Sequence, residues 1–307
     1  MYCIYHSRDL DGWCSAAIVK KWFREKYSDG VVLSKETHDQ NPKPNNYLYM
    51  IGWDYGDVVP DLSKEDIILV DISFPKNEMF KLWHRLDKKT IWIDHHISAI
   101  NDNKDLVWEQ SHGIQNTKKA ACELTWEYLF PNEKIPEFVR LLGRYDCFGH
   151  KGTSEEQRVL EFQYAARAYC KNVEDCFEKL HQKENQVIGL LSELGKGIYK
   201  YLCVEAEQDY KTRFTVDFDG YKFACINRKR FNPINFGIQY HNDKADDIYY
   251  YDGAACFHYE NGLWNFSLYN DNGKVDCSEI CKKRGGGGHA GAAGFRVSNI
   301  NNIINKI

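Results

Sequence analysis

The chain has 307 residues, a formal net charge of -4, 43% hydrophobic residues and 27% charged residues. That length exceeds the usual single domain of roughly 100–200 residues and leaves room for one large or two medium domains, each able to bury a core. The composition excludes a disordered chain. The slight acidity argues against broad binding to duplex nucleic acid, which relies on many Lys and Arg contacts to phosphate, but leaves open a local site for a small anion.

No window approaches the ~18 apolar residues of a membrane span, and the opening MYCIYHSRDLDGW has no basic segment followed by an apolar one, so the expectation is a cytoplasmic protein without membrane attachment. The eleven cysteines are scattered, with no CxxC pair. They read as reduced small hydrophobes and argue against a thiolate zinc site.

Along the chain, apolar runs at residues 2–6, 31–36, 46–52, 66–71 and 90–94 predict strands, and periodic stretches at 11–26, 75–86 and 118–129 predict helices. This alternation predicts an α/β fold with a mostly parallel N-terminal sheet and flanking helices over residues 1–154. Residues 155–208 turn helical and charged and read as a helical connection. Residues 209–307 read as a smaller C-terminal α+β domain, with hairpin turns expected at Asp219-Gly220 and Asn261-Gly262. Its end, DCSEICKKRGGGGHAGAAGF, reads as a helix, a glycine loop and a second helix rich in small residues.

The predicted strands end in a recurring way. YCIYH ends in His6 and runs on to Asp9 and Asp11; the 66–71 run ends in Asp71; the 90–94 run ends in Asp94-His95-His96. A helix reading FVRLLGRY then delivers Asp146. In a parallel sheet such ends lie side by side, and ligands bind there. Clustered carboxylates raise one another's pKa unless a cation neutralises them, which points to divalent metal. Carboxylates outnumber imidazoles and no thiolate takes part, favouring Mn2+ or Mg2+ over structural zinc, and the number of ligands suits two ions. Taken singly each residue has an ordinary alternative: Asp11 as a helix N-cap, His6 as a satisfied histidine, Asp146 as a surface carboxylate. Their joint occurrence in chain order is what favours the metal site.

HSRDLDG, LVDISF, IDHHIS and GRYD resemble, in order and approximate spacing, the four metal-binding motifs of the DHH phosphoesterase superfamily. GGGGHAGAAGF is similar to the glycine-rich motif of the C-terminal domain that accompanies many of them. The resemblance implies that His6 and Asp9 hold one Mn2+, that Asp11, His95 and Asp146 hold the other, and that Asp71 bridges both. Mg2+ or Co2+ are the alternative ions. It further implies that His96 faces the scissile phosphate and that Asp94 supports the histidines. Many relatives have one more residue between the first histidine and first aspartate, and carry Arg and Ser where this chain has Tyr269 and Asn270.

The glycine run lacks Cβ atoms, so backbone N–H groups at Gly285, Gly286, Gly287 and Gly288 could approach an anion closely, with Arg284 and His289 adding charge and donors. The other reading is a turn that packs small residues tightly. Further phosphate candidates are Arg228, Lys229, Arg230, Lys118 and Lys119; Tyr249, Tyr250, Tyr251 and Phe257 are candidates for base stacking, against the commoner role of such residues in a core. Together these readings give a metal-dependent phosphoesterase of exonuclease type, acting on short single-stranded RNA or DNA or on small nucleotides, with a homodimer left open. The alternatives are a cyclic-dinucleotide or polyphosphate hydrolase and a catalytically inactive nucleotide-binding protein.

Overall fold

The computed structural model describes residues 1–33, 44–62, 65–84, 89–105, 112–229, 251–270 and 273–304. The chain divides into two compact units, Met1–Tyr199 and Lys200–Ile307.

In the first unit the five predicted strands form as β1 (Tyr2–His6), β2 (Val31–Leu33), β3 (Tyr47–Trp53), β4 (Ile67–Val70) and β5 (Thr90–Asp94), with β6 (His112–Gln115) added at one edge. Their order is β2-β3-β1-β4-β5-β6, and every described pairing is parallel. The helices are α1 (Leu10–Lys26), α2 (Lys76–Trp83), α3 (Ile97–Asp102), α4 (Ala121–Leu129), α5 (Glu137–Asp146), α6 (Glu156–Tyr169), α7 (Val173–His181) and α8 (Glu184–Lys211). The predicted continuations at 34–36 and 85–86 lie outside the described residues. α4 starts later than expected because the Asn116 side chain accepts the Lys118 N–H at 2.9 Å, holding a turn ahead of the helix.

The unbroken apolar runs are explained by a sheet covered on both faces. Alternate residues go to opposite cores: Cys3, Ile68, Val70 and Ile93 pack with α1 and α4 to α8. Tyr2, Ile4, Ile67, Leu69 and Trp92 pack with Met79, Leu82 and Trp83 of α2. Within residues 155–208, Val159, Phe162, Val173, Cys176 and Leu191 join the first of these cores.

The register decides where the chemistry falls. His6 pairs with Trp53, Tyr5 with Val70, and Val70 with Ile93. His6, Asp54, Asp71 and Asp94 therefore leave the sheet at one edge, the carboxyl ends of the strands. α1 springs from this edge in a very tight turn: a Cβ on Gly12 would lie 2.1 Å from the His6 carbonyl oxygen, so only glycine fits.

The second unit is a six-stranded sheet, ordered β11-β12-β10-β9-β8-β7, built from β7 (Phe214–Phe218), β8 (Tyr221–Asn227), β9 (Gly253–Glu260), β10 (Leu263–Tyr269), β11 (Gly287–His289) and β12 (Ala292–Val297), with α9 (Cys277–Lys282) packed on it. Pairings are antiparallel except β8 with β9. Both expected hairpin turns form, with positive φ at Asp219, Gly220, Asn261 and Gly262, the mirror-image turn that suits twisted strands. The expected small-residue helix does not form. Residues 287–297 are instead a hairpin, β11 with β12, in which Ala293 and Phe295 are buried and a Cβ on Gly294 would meet the Phe266 carbonyl oxygen at 2.9 Å. Alternation of buried residues and the closeness of β10 override the helical preference of alanine.

The same hairpin accounts for most of the glycine run. Gly285 has φ +76 and ends α9, with its N–H donating to the Lys282 carbonyl at 3.0 Å. A Cβ on Gly286 would sit 2.0 Å from the Gly294 carbonyl oxygen, whereas around Gly287 a side chain would find open space. Gly286→Ala should therefore lower the melting temperature by several degrees and Gly287→Ala should leave it within about one degree; equal effects in thermal denaturation would contradict this packing.

Candidate metal centre

The strand ends converge as expected, and Asp71 is where they meet. It follows β4 with a left-handed backbone, φ 60, a conformation that non-glycine residues avoid and that clusters at functional positions. Its side chain is 1% exposed. One oxygen, Oδ2, faces His6 Nδ1 at 3.4 Å; the other, Oδ1, faces His95 Nε2 at 3.3 Å and His96 Nδ1 at 3.8 Å. Neither oxygen accepts a well-formed hydrogen bond.

Three trios of donor atoms surround it among the described residues: His6, Asp9 and Asp71; Asp71, His95 and His96; His95, Asp146 and Cys147. Within each trio the donor atoms lie within 4.8 Å of one another. His6 Nδ1 is 2.9 Å from Asp9 Oδ2, and His95 Nε2 is 3.4 Å from Asp146 Oδ2. Asp9, not Asp11, is the N-cap of α1: its Oδ1 accepts the Gly12 N–H at 3.0 Å. Asp11 reaches across to α4, where Oδ2 accepts the Ala121 N–H at 2.9 Å and Oδ1 accepts the Cys122 N–H at 2.8 Å. Its carboxylate thus sits on a helix N-terminus, favoured by the dipole, while Oδ2 stays 3.6 Å from His95 Nε2.

Asp94 is fully buried and fully satisfied. Its Oδ2 accepts Trp92 Nε1 at 3.2 Å, and its Oδ1 accepts the His95 N–H at 2.7 Å and the His96 N–H at 3.1 Å. The same Oδ1 lies 2.7 Å from His96 Nδ1. An ionised carboxylate only accepts, so Nδ1 of His96 carries hydrogen and Nε2 is the nitrogen left for other work.

Two members of the site were not anticipated. Asp54, immediately after β3, places Oδ1 3.6 Å from His6 Nε2 and accepts Arg8 Nε on Oδ2 at 2.6 Å. Cys147 places Sγ 3.8 Å from His95 Nδ1. Asp54 carried the same signal as the others, an acidic residue at the end of an apolar strand; Cys147 carried none beyond following Asp146.

The residues proposed for phosphate or base contact in the second unit are placed otherwise. Arg284 donates to Asp219 at 2.7 Å and to the Ile280 carbonyl at 2.8 Å. His289 ends β11. Asn270 holds the hairpin, donating to the Asp252 carbonyl at 2.6 Å while its N–H donates to the Gly291 carbonyl at 2.9 Å. Arg228 pairs with Glu205 and Asp209, and Lys229 with Glu260; in the first unit Lys119 pairs with Glu127. Tyr251 and Phe257 are buried, Phe257 stacked on Phe266, so these two are core and not a stacking platform. Arg230, Tyr249 and Tyr250 lie outside the described residues.

The electrostatics show a centre that needs cations. Burial works against a charged His6, yet the Asp71 and Asp9 carboxylates beside it outweigh that and hold the ring up to about 11. His95 is raised further, against burial, chiefly by Asp71 and Cys147. His96 rises to about 9, again against burial, through Asp94. Asp11 is pushed up to about 7 by burial and by Asp71, and Asp146 to about 7 by loss of hydration and by Asp11. Asp94, despite burial, is held below the usual carboxylate range by the His96 ring and N–H. A hard oxygen-rich donor set with orphaned buried oxygens fits divalent metal, and the imidazole protons are what neutralise the cluster without it. Since His6 and His95 are protonated at neutral pH in that state and must lose a proton to bind metal, uptake of Mn2+ should release protons, and apparent affinity should rise about tenfold per pH unit for each proton displaced. Calorimetric titration in buffers of different protonation enthalpy reads this directly; uptake without proton release would contradict the assignment.

Residues 1–143 match the DHH family, N-terminal domain. An uncharacterized protein of Acanthamoeba polyphaga mimivirus is 21% identical over a 318-residue alignment that covers 98% of this chain and 68% of that protein. Among solved structures, the DHH domain of a member of the s1p family of ribosomal proteins has a TM-score of 0.51 at 14% identity, covering 98% of this chain and 83% of that one. The pGpG-specific phosphodiesterase PggH of Vibrio cholerae has a TM-score of 0.49 at 11% identity, covering 98% of this chain and 94% of that one. The likeness to the s1p-family DHH domain speaks for the fold alone, and the family match covers the segment that carries Asp71 and the DHH triplet. The segment 1–143, which holds every strand of the first sheet, is thus a DHH family N-terminal domain.

Proposed function

We propose that this phosphoesterase hydrolyses the phosphodiester or phosphomonoester bonds of short single-stranded oligonucleotides or small nucleotides, using two Mn2+ ions. The observation that carries the reading is Asp71, a buried, strained carboxylate whose two oxygens face imidazoles from different strands and accept no hydrogen bond from the protein. A binding protein without catalysis has no use for so costly an arrangement.

His6, Asp9 and Asp71 would hold one ion, and Asp71, His95 and Asp146 the other, with Asp11 fixed on α4 beside His95. Bound there, the ions would lower the pKa of water and neutralise charge on the phosphoryl oxygens. The protein's own groups do the rest. Asp94 fixes the His96 ring through Nδ1, so that Nε2 is presented to the phosphate. The Asp94 carboxylate favours a protonated His96 ring, and a proton carried on Nε2 could be donated toward the leaving oxygen. The net charge of -4 suits short substrates better than long duplexes. Residues 284–289 enter the proposal as a further substrate contact, and Gly285 and Gly287 are the positions of the run with room around them.

Asp71→Ala should abolish hydrolysis with the fold retained, and His96→Ala should lower kcat by about 10²–10⁴. The test is a Mn2+-supplemented panel of di- to pentaribonucleotides, oligodeoxynucleotides, phosphoadenosine phosphate, cyclic dinucleotides and polyphosphate. Turnover confined to the last two classes would move the substrate assignment to them; no turnover on any would overturn the enzymatic reading.

A further inference from the structure

Beside His6, the turn after β3 holds an aromatic ring that packing alone does not call for. Trp53, the last residue of β3, is buried, but Tyr55 two positions on is 54% exposed. The turn is firmly held. The Asp57 N–H donates to the Asp54 carbonyl at 3.0 Å, the Asp54 N–H donates to the Asp57 carboxylate at 3.0 Å, and the Tyr55 N–H donates to Asp54 Oδ1 at 2.9 Å. The Tyr55 ring stands edge-on to Trp53, centroids 5.7 Å apart, and lies 6.4 Å from the His6 ring. The ring is therefore held by its turn and by Trp53 and is half open to solvent, and Gly56 beside it has open space where a side chain would be.

Arg8 frames the same turn. Its side chain is 69% exposed and gives Nε to Asp54; among the described residues its terminal nitrogens have no partner. Asp54 so ties together the Tyr55 backbone, an exposed guanidinium and, at 3.6 Å, the His6 ring.

A flat exposed ring and a guanidinium at the edge of a phosphoryl-transfer site are the two contacts a nucleotide uses, the π face for the base and the planar fork for a phosphate. Polyphosphate or a sugar phosphate would need only the second. A ring already held in place loses little freedom when a base stacks on it. Resting on the phosphoesterase reading above, we propose that Tyr55 stacks the nucleobase of the nucleotide bound at the His6 end, with Arg8 beside it on a phosphate, so that this turn selects nucleotides over base-free phosphoesters.

The test compares a dinucleotide with the same sugar–phosphate dimer lacking both bases. Y55A should lose about 5- to 150-fold in kcat/KM on the dinucleotide, mainly through KM, and stay within about twofold on the base-free dimer, while Y55F and Y55W keep dinucleotide turnover. A second readout needs no catalysis: with metal chelated, quenching of a 2-aminopurine dinucleotide by wild-type protein should fall sharply in Y55A. Equal losses on both substrates, a loss in Y55F as large as in Y55A, or quenching that is absent from the wild type or unchanged in Y55A would overturn the stacking while the phosphoesterase reading stands. Failure of the wild type to cleave either substrate would overturn both.

Discussion

A buried carboxylate flanked by imidazoles on two sides governs the first unit. Asp71 cannot be solvated, because β1 and β5 close over β4 on either side, and it cannot be neutralised by one partner, because its two oxygens point to different strands. The left-handed backbone at Asp71 is the means by which β4 turns its last carboxylate into the space between those strands. Such strain persists only where the surroundings over-determine it. Here they do: both cores pack against the apolar residues that precede it, and its own N–H donates to the Ile93 carbonyl at 2.9 Å.

The acidic residues of the first motif perform structural work while facing the same centre. Asp9 caps α1 and Asp11 receives the first N–H groups of α4, so two helix N-termini, each a partial positive charge, are drawn to the edge where carboxylates gather. Gly12 permits it by letting α1 start against the His6 carbonyl. The ordinary alternative for an aspartate ahead of a helix and the metal-ligand reading are therefore not rivals at this edge. One Asp9 oxygen serves the helix and the other faces His6, and on Asp11 the oxygen that faces His95 also accepts an N–H from α4.

The parallel sheet was legible because a strand covered on both faces needs an unbroken apolar run, and the strand ends were legible because charged residues stop such runs abruptly. β6 was not legible: HGIQ has a single large apolar residue, and Gly113 takes φ 135. Asp54 went unseen although it obeys the rule that found Asp71, because it lies outside the four motifs and its contact with His6 depends on β3 lying next to β1. In the second unit the small-residue segment was misread as helical. Alanine and glycine fit a helix locally, and only the nearness of β10, decided by residues 23 to 33 positions earlier, makes them a strand. The same dependence on distant partners hides from the sequence the pairing of Arg284 with Asp219 in the opposite hairpin turn.

The order within the Asp94-His95-His96 triplet also has a physical basis. The extended chain at the end of β5 sends successive side chains to opposite sides, so Asp94 turns inward beneath the sheet edge, where Trp92 and two backbone N–H groups donate to it and the His96 ring and N–H hold it below the usual carboxylate range. That fixed anion orients His96 by a hydrogen bond to Nδ1. His95, on the other side, has Nε2 in range of three carboxylates. Two identical side chains, adjacent in sequence, are thereby set apart by the partner each can reach: one is surrounded by anions and suited to share a cation with them, the other is held through Nδ1 by a single satisfied anion. Exchanging Asp94 for a neutral residue would remove the distinction, because it takes away the carboxylate that lies 2.7 Å from His96 Nδ1.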